Sequence, residues 1–383
     1  MSFAVYVHWP FCKSKCPYCD FNSHVREKID GEAWRDALLA EIDHYAALTP
    51  GKTVTSVFFG GGTPSLMDPH IAGAVLDRIA MRWAIADEPE ITLEANPNSA
   101  ESERFAAFKT AGVNRLSIGV QALDDKALKF LGRGHSVHEA RRAIDRAAAL
   151  FDRFSFDLIY ARPNQSVDDW SSELKMALEL RPTHLSVYQL TIEAGTQFKT
   201  LFDRGDYSLP SESEQERLYD ATQAILEAAG MPAYEISNHA AKGQASRHNL
   251  VYWHYEDYVG VGPGAHGRIT QDGARIATRQ AKAPETWLEQ VRAQGHATAE
   301  FTPLERTTCV DEALMMGLRL REGIDAARFE RVTGAALEGP DALDTARVER
   351  MIRDGFIKRT PTGLGATAQG RKVLNGLLAA LRS

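Results

Sequence analysis

Tyr6-Val7-His8-Trp9-Pro10-Phe11-Cys12-Lys13-Ser14-Lys15-Cys16-Pro17-Tyr18-Cys19-Asp20-Phe21 holds three of the four cysteines in 383 residues, spaced C-x3-C-x2-C. Thiolates are soft ligands for iron–sulfur clusters, Zn or Cu(I). A structural zinc wants a fourth ligand and more often takes C-x2-C pairs. A redox pair of Cys16 and Cys19 would leave Cys12 without a role. Three thiolates on one loop suit a [4Fe-4S] cluster with one iron open, and this reading is favoured over the other two. His8 and His24 flank the loop, and neither is assigned as a metal ligand. Cys309, alone in an expected helix, reads as a small buried residue.

Outward from this loop the chain alternates. Strands are expected at 3–7, 54–59, 91–94, 115–118, 154–160, 184–190 and 233–236. Helices are expected at 32–47, 70–83, 101–111, 167–180 and 212–229, and another opens with the capping box Ser136-Val137-His138-Glu139. Such alternation indicates a parallel sheet with helical crossovers. Six to seven repeats are too few for a closed eightfold barrel, so the fold class expected is α/β, a partial (β/α)6 TIM-like barrel. The cysteine loop, Gly60-Gly61-Gly62-Thr63-Pro64, Glu94, Gln121 and Asp157 are then expected at or just beyond strand ends, where parallel barrels carry their chemistry. Residues 1–267 form the barrel and an aromatic segment, and 268–302 read as an irregular connector. Residues 303–383 read as a mostly helical, winged-helix-like domain with a hairpin at 357–366.

Composition excludes several classes. The net charge of -7 argues against a nucleic-acid partner. No run is long enough to span a membrane, no signal peptide is evident, and four cysteines suit a reducing compartment, so a cytoplasmic protein is expected. The glycine stretch is expected to leave backbone amides uncovered for a ligand. Glu94, ending an apolar strand, could accept hydrogen bonds from a bound amine or ribose. Arg247-His248-Asn249-Leu250-Val251-Tyr252-Trp253-His254-Tyr255, followed by Gly260-Val261-Gly262-Pro263-Gly264-Ala265-His266-Gly267, joins histidines to flat aromatic side chains. That combination suits a porphyrin face, or else an aromatic strand closing the core.

The cysteine string, with Tyr6, His8 and Pro10 before it and Asp20-Phe21-Asn22-Ser23 after it, resembles the radical S-adenosylmethionine (SAM) enzymes. Within them it is similar to the branch of the anaerobic coproporphyrinogen III oxidases and their heme-chaperone relatives, and closer to the chaperones. The resemblance implies a [4Fe-4S] cluster on Cys12, Cys16 and Cys19, with SAM on the open iron. It implies SAM contacts from Tyr6, Tyr18, Gly61, Gly62, Thr63, Glu94, Gln121, Arg133 and Asp157. His248-Asn249-x-x-Tyr252-Trp253 matches a pattern associated with heme binding, which implies His248 as axial ligand. Heme and a recipient haemoprotein are then the expected partners, and a homodimer is compatible. The alternative is oxidase chemistry, in which a SAM-derived radical abstracts hydrogen from a propionate of coproporphyrinogen III and decarboxylation gives a vinyl group. Two departures favour the chaperone. The oxidases carry a further cysteine two residues after the third, where this chain has Phe21, and an N-terminal extension before the first strand. Whether SAM is cleaved stays open.

Overall fold

The computed structural model describes residues 2–382. Its main sheet has eleven strands. They are β1 (Phe3–Trp9), β2 (Thr53–Gly61), β3 (Ala84–Ala95), β4 (Arg115–Gln121), β5 (Arg153–Tyr160), β6 (His184–Gln189), β7 (Asn238–Ala240), β8 (Asp257–Val261), β9 (His266–Gln271), β10 (Ala274–Gln280) and β11 (Thr298–Pro303). Their spatial order is β11-β10-β9-β8-β1-β2-β3-β4-β5-β6-β7. β8 and β1 to β6 run parallel, whereas β7 and β9 to β11 pair antiparallel at the two ends. Among the described residues the end strands do not pair with each other, so the sheet stays open around six parallel strand–helix units. This is the partial (β/α)6 barrel expected.

Alternation along the strands sets the two faces. Phe3, Val5, Val7 and Trp9 of β1 join Trp34, Leu38 and Ile42 of the Gly31–Leu48 helix in the main apolar core. Tyr6 and His8 point the other way, and the register brings Ser56, Glu94, Arg115 and Asp157 to that same inner face. A parallel sheet covered on both sides usually reads apolar on both. Here one face is polar, so the barrel interior is a chemical surface rather than a second core.

At its base that surface is closed by buried charge. Glu90 pairs with Arg153 at 2.7 Å, and Arg115 donates to the Ser155 hydroxyl at 3.2 Å. Glu90 also accepts the backbone N–H groups of Arg247 and His248, each at 3.0 Å. A carboxylate there satisfies orphan donors and complements the macrodipole of the Arg247–Trp253 helix. That segment is therefore a helix packed against β1, β2 and β8, not an aromatic strand.

Three further expectations change. Residues 233–236 are not a strand: Ala233 makes only an isolated bridge to His239, and the strand is β7. The helix expected at 101–111 is split into Ser99–Ser102 and Phe105–Thr110. The connector at 268–302 is instead β9, β10, a Pro284–Gln294 helix and β11. The reason is local. Asp272 and Gly273 both take positive φ, 50° and 80°, as a two-residue hairpin turn of type I′ requires.

The C-terminal region packs helices Arg306–Gly317, Ala326–Thr333 and Thr345–Arg353 with a three-stranded sheet of Ile324–Asp325, Gly363–Ala366 and Ile357–Thr360. Its core, around Leu314, Phe329, Val348 and Leu364, also takes in Tyr255 from the barrel side. No helix among the described residues is long and apolar enough to cross a membrane.

Candidate functional site

The cysteine loop leaves β1 at the C-terminal end of the parallel strands. Phe11-Cys12 pairs with His24-Val25, closing the loop on itself. Cys12, Cys16 and Cys19 are half-buried and free of disulfides. Each sulfur has a polar neighbour. Thr63 Oγ1 donates to Cys12 Sγ at 3.3 Å, Arg133 Nη1 donates to Cys16 Sγ at 3.3 Å, and Ser23 Oγ lies 3.7 Å from Cys19 Sγ. Burial pushes the Cys12 thiol up, and the Thr63 hydroxyl opposes that rise. Among the described residues no three His, Cys, Asp or Glu side chains are gathered as a single metal ion needs them. Three half-buried thiols on one loop are a donor set that fits a [4Fe-4S] cluster with one iron left open.

Arg133 brackets the loop. Its Nη1 also donates to Tyr18 Oη at 3.3 Å, and its Nη2 to Asn96 Oδ1 at 2.5 Å and Gly119 O at 2.8 Å. Asn96 Nδ2 in turn donates to Thr63 Oγ1 at 3.1 Å. A continuous chain of polar contacts thus runs from Cys16 through Arg133, Asn96 and Thr63 to Cys12. Sequence reasoning placed Arg133 and Thr63 here but missed Asn96, although it sits two residues after Glu94.

The glycine stretch behaves differently from expectation. The N–H of Gly61 donates to Glu94 Oε2 at 3.1 Å, that of Gly62 to Trp9 O at 2.7 Å, and that of Thr63 to Phe11 O at 2.8 Å. These amides are covered, because they clasp the end of β2 to the cysteine loop. Gly61 has φ of 111° and a Cβ there would lie 2.4 Å from the His8 ring. The need for glycine is this close approach.

Glu94 of β3 and Asp157 of β5 lie on the same inner face, with β4 between them. Burial and then the Asp157 charge push Glu94 up to about 8, against the Gly61 hydrogen bond. Burial pushes Asp157 up to about 6, opposed by Ser186 and by Arg115 and Arg133. Asp157 lies within β5, three residues before its end, rather than beyond it. Both carboxyls are kept from ionising chiefly by burial, an environment that a neighbouring cation would relieve. Gln121 closes β4 after a register shift, with φ of 72°, a strained value for a side chain of its kind. Tyr6 Oη and His8 Nδ1 are 3.0 Å apart, and His8 Nε2 lies 2.9 Å from Asn22 O. His8, held neutral by burial with its value near 4, is thereby committed within the protein.

Beside this mouth lies a cavity of about 800 Å³. Tyr6, His8, Gly61 and Glu94 form its barrel side, and Tyr252, Trp253 and Tyr258 its aromatic wall. Arg268, Arg279 and Lys282 supply a cationic rim beside His266, while Glu312 and Met316 of the Arg306–Gly317 helix close it. Most of the rim comes from the stretch read as a connector. The Asp272-Gly273 pair between alternating residues was the signal that could have found it.

His248 does not reach the cavity. It is 1% exposed, its Nδ1 lies 2.9 Å from Ser56 Oγ, and its Nε2 lies 2.6 Å from Tyr252 Oη. Its ring stacks on Phe58 at 5.0 Å, and burial pushes its value down to about 3. Both nitrogens have partners within the protein, and neither faces the cavity. His248 instead aims Tyr252 at the cavity.

Residues 6–177 match the Radical SAM superfamily and residues 304–373 match the HemN C-terminal domain. The mitochondrial radical S-adenosyl methionine domain-containing protein 1 of Bos taurus is 39% identical over 385 residues, covering 99% of this chain and 87% of its own. The heme chaperone HemW of Escherichia coli is 36% identical, covering 98% of this chain and 97% of its own. That of Mycobacterium tuberculosis is 34% identical, covering 99% and 94%. The solved structure of E. coli coproporphyrinogen III oxidase, HemN, superposes with a TM-score of 0.81 at 23% identity, covering 100% of this chain and 90% of that one. That likeness shows a shared fold. Relatives of this identity run the length of the barrel and of the C-terminal module alike, and the chain belongs to the radical SAM superfamily, within its HemN and HemW family.

Proposed function

We propose that this protein is a heme chaperone that carries a [4Fe-4S] cluster and SAM and passes heme to a haemoprotein. Superfamily membership implies the cluster and SAM, and the names of the HemW relatives carry the suggestion of heme. Cys12, Cys16 and Cys19 would hold the cluster, which supplies one electron to the SAM sulfonium when bound. Glu94 and Asp157 would receive the cationic end of SAM, since a cation offsets the cost of burying their charged forms. Gln121, Arg133, Tyr6, Tyr18 and the clasped Gly61, Gly62 and Thr63 would shape the remaining walls.

The observation that carries the heme reading is the cavity itself. Its aromatic wall suits a flat macrocycle, and its cationic rim suits carboxylate substituents. The cavity also reaches Gly61 and Glu94, two of the residues that would line the SAM site. That adjacency favours a second reading, in which coproporphyrinogen III binds there and is decarboxylated. The deciding experiment is an anaerobic assay with spectroscopically verified cluster, SAM, reductant and coproporphyrinogen III. The chaperone reading expects stoichiometric heme binding and no protoporphyrinogen. Turnover would move the protein to the oxidase reading. Equal heme transfer by cluster-free and reconstituted protein would remove the cluster from the transfer step.

A further inference from the structure

His248 hydrogen-bonds Ser56 and Tyr252 and does not line the cavity, so the groups that do line it are of interest. Four side chains share one face of its floor. Tyr258 pairs with Arg268 across β8 and β9, and His266 pairs with Arg279 across β9 and β10. His266 and Arg268 are two residues apart on one strand, so both point the same way, about 7 Å apart along it. His266 is exposed to the cavity, and among the described residues its ring nitrogens have no hydrogen-bond partner. The cations differ in commitment. Arg268 is held by Glu312 at 2.7 Å, and Arg279 by the half-exposed Glu300 at 3.1 Å. The Lys282 ammonium has no partner among the described residues.

Resting on the heme reading above, we propose that His266 is the axial ligand of an iron tetrapyrrole in this cavity. Arg279 and Lys282 receive its carboxylates. A neutral imidazole is what a metal requires, and burial with the neighbouring Arg268 and Arg279 keeps His266 from protonating. Carboxylates at the edge of a macrocycle lie several ångströms from its iron. A histidine flanked along and across the strands by arginines matches that separation, with Tyr252 and Trp253 covering the ring.

The test is a titration of the full chain with ferric heme, read by the Soret band and by spin state. The parent protein is expected to show a histidine-ligated spectrum. His266→Ala should lose it and bind roughly tenfold more weakly, and free imidazole should restore the spectrum. His248→Gln, which removes the imidazole but can still hydrogen-bond Tyr252, should keep it. Arg279→Ala with Lys282→Ala should weaken binding without moving the Soret band, and heme dimethyl ester should erase that difference. A histidine-ligated spectrum surviving in His266→Ala but lost in His248→Gln would overturn the assignment and leave the heme reading intact. No heme binding by the parent chain would overturn the heme reading itself.

Discussion

Glu94 shows how a single side chain can encode the preference of the site. It sits at the end of β3, on the same inner face as Asp157, and among the described residues its one hydrogen-bond donor is the Gly61 amide. Its folded-state value, about 8, lies above the ordinary 4.5. The neutral form is therefore favoured by folding, so the stability this group contributes is full below about pH 4.5 and is lost as pH rises through about 8. Glu94→Gln mimics the neutral form at every pH. In cluster-free protein without SAM, its Tm should match the parent at pH 4.5 and exceed it progressively up to pH 8. The gain should be on the order of 2 kcal/mol once partial exposure is allowed for. Parallel Tm curves across that range would show that Asp157 and burial do not act on Glu94 as described. Arg133 gives a second case. It touches Cys16, Tyr18, Asn96 and Gly119 at once, so Arg133→Met should leave the fold intact but loosen the loop. The expected outcome is a cluster lost several times faster to an iron chelator; an unchanged rate would reduce Arg133 to packing.

At the scale of elements, the strands β9 to β11 are anchored by one carboxylate far from them in sequence. Glu41, in the Gly31–Leu48 helix, accepts from the N–H of Gly262 at 2.7 Å, from that of Ala297 at 2.9 Å, and from Trp287 Nε1 at 3.0 Å. Trp287 stacks on Trp34 beside it, with ring centroids 5.0 Å apart. Glu41→Ala would leave three buried donors unpartnered, at about 1–3 kcal/mol each. Hydrogen exchange should then accelerate across 262–303 while β4 to β6 stay protected; uniform acceleration would contradict a local anchor. The same region marks the limit of what the sequence discloses. The cysteine loop was legible because its three thiols lie close together in the sequence, and β1 to β6 because each strand is followed by a helix of its own period. The polar alternation within those strands, as in Thr92-Leu93-Glu94 and Ser155-Phe156-Asp157, went unread: in sequence the strand that ends in Glu94 reads as apolar. The role of His248 was not legible, since it depends on Ser56 and Tyr252, and Ser56 lies 192 positions away. Nor was the cationic rim, which forms only when the Asp272-Gly273 turn folds β9 against β10.

The whole molecule is organised so that no one region owns the cavity. Asn22, just past the cysteine loop, donates to the carbonyls of Pro263 and Lys282, each at 2.9 Å, tying the loop to both ends of the β9–β10 hairpin. From the other side, Glu312 of the C-terminal region accepts from Arg268 and from the Tyr255 hydroxyl. Arg319 crosses in the opposite sense to the buried Glu235 at 2.9 Å, its guanidinium lying over Trp253. A ligand held between these parts stabilises all of them together, because binding to the assembled form alone draws the equilibrium towards it. Ferric heme should therefore slow hydrogen exchange concertedly in the Arg247–Trp253 helix, in 258–282 and in the Arg306–Gly317 helix, while the Pro69–Arg82 helix on the outer face stays unchanged. Glu312→Ala removes the bidentate contact to Arg268, and should uncouple the response of the Arg306–Gly317 helix while leaving that of 258–282 in place. Slowing confined to the barrel side in the parent protein would mean that the C-terminal region covers the cavity without taking part in binding.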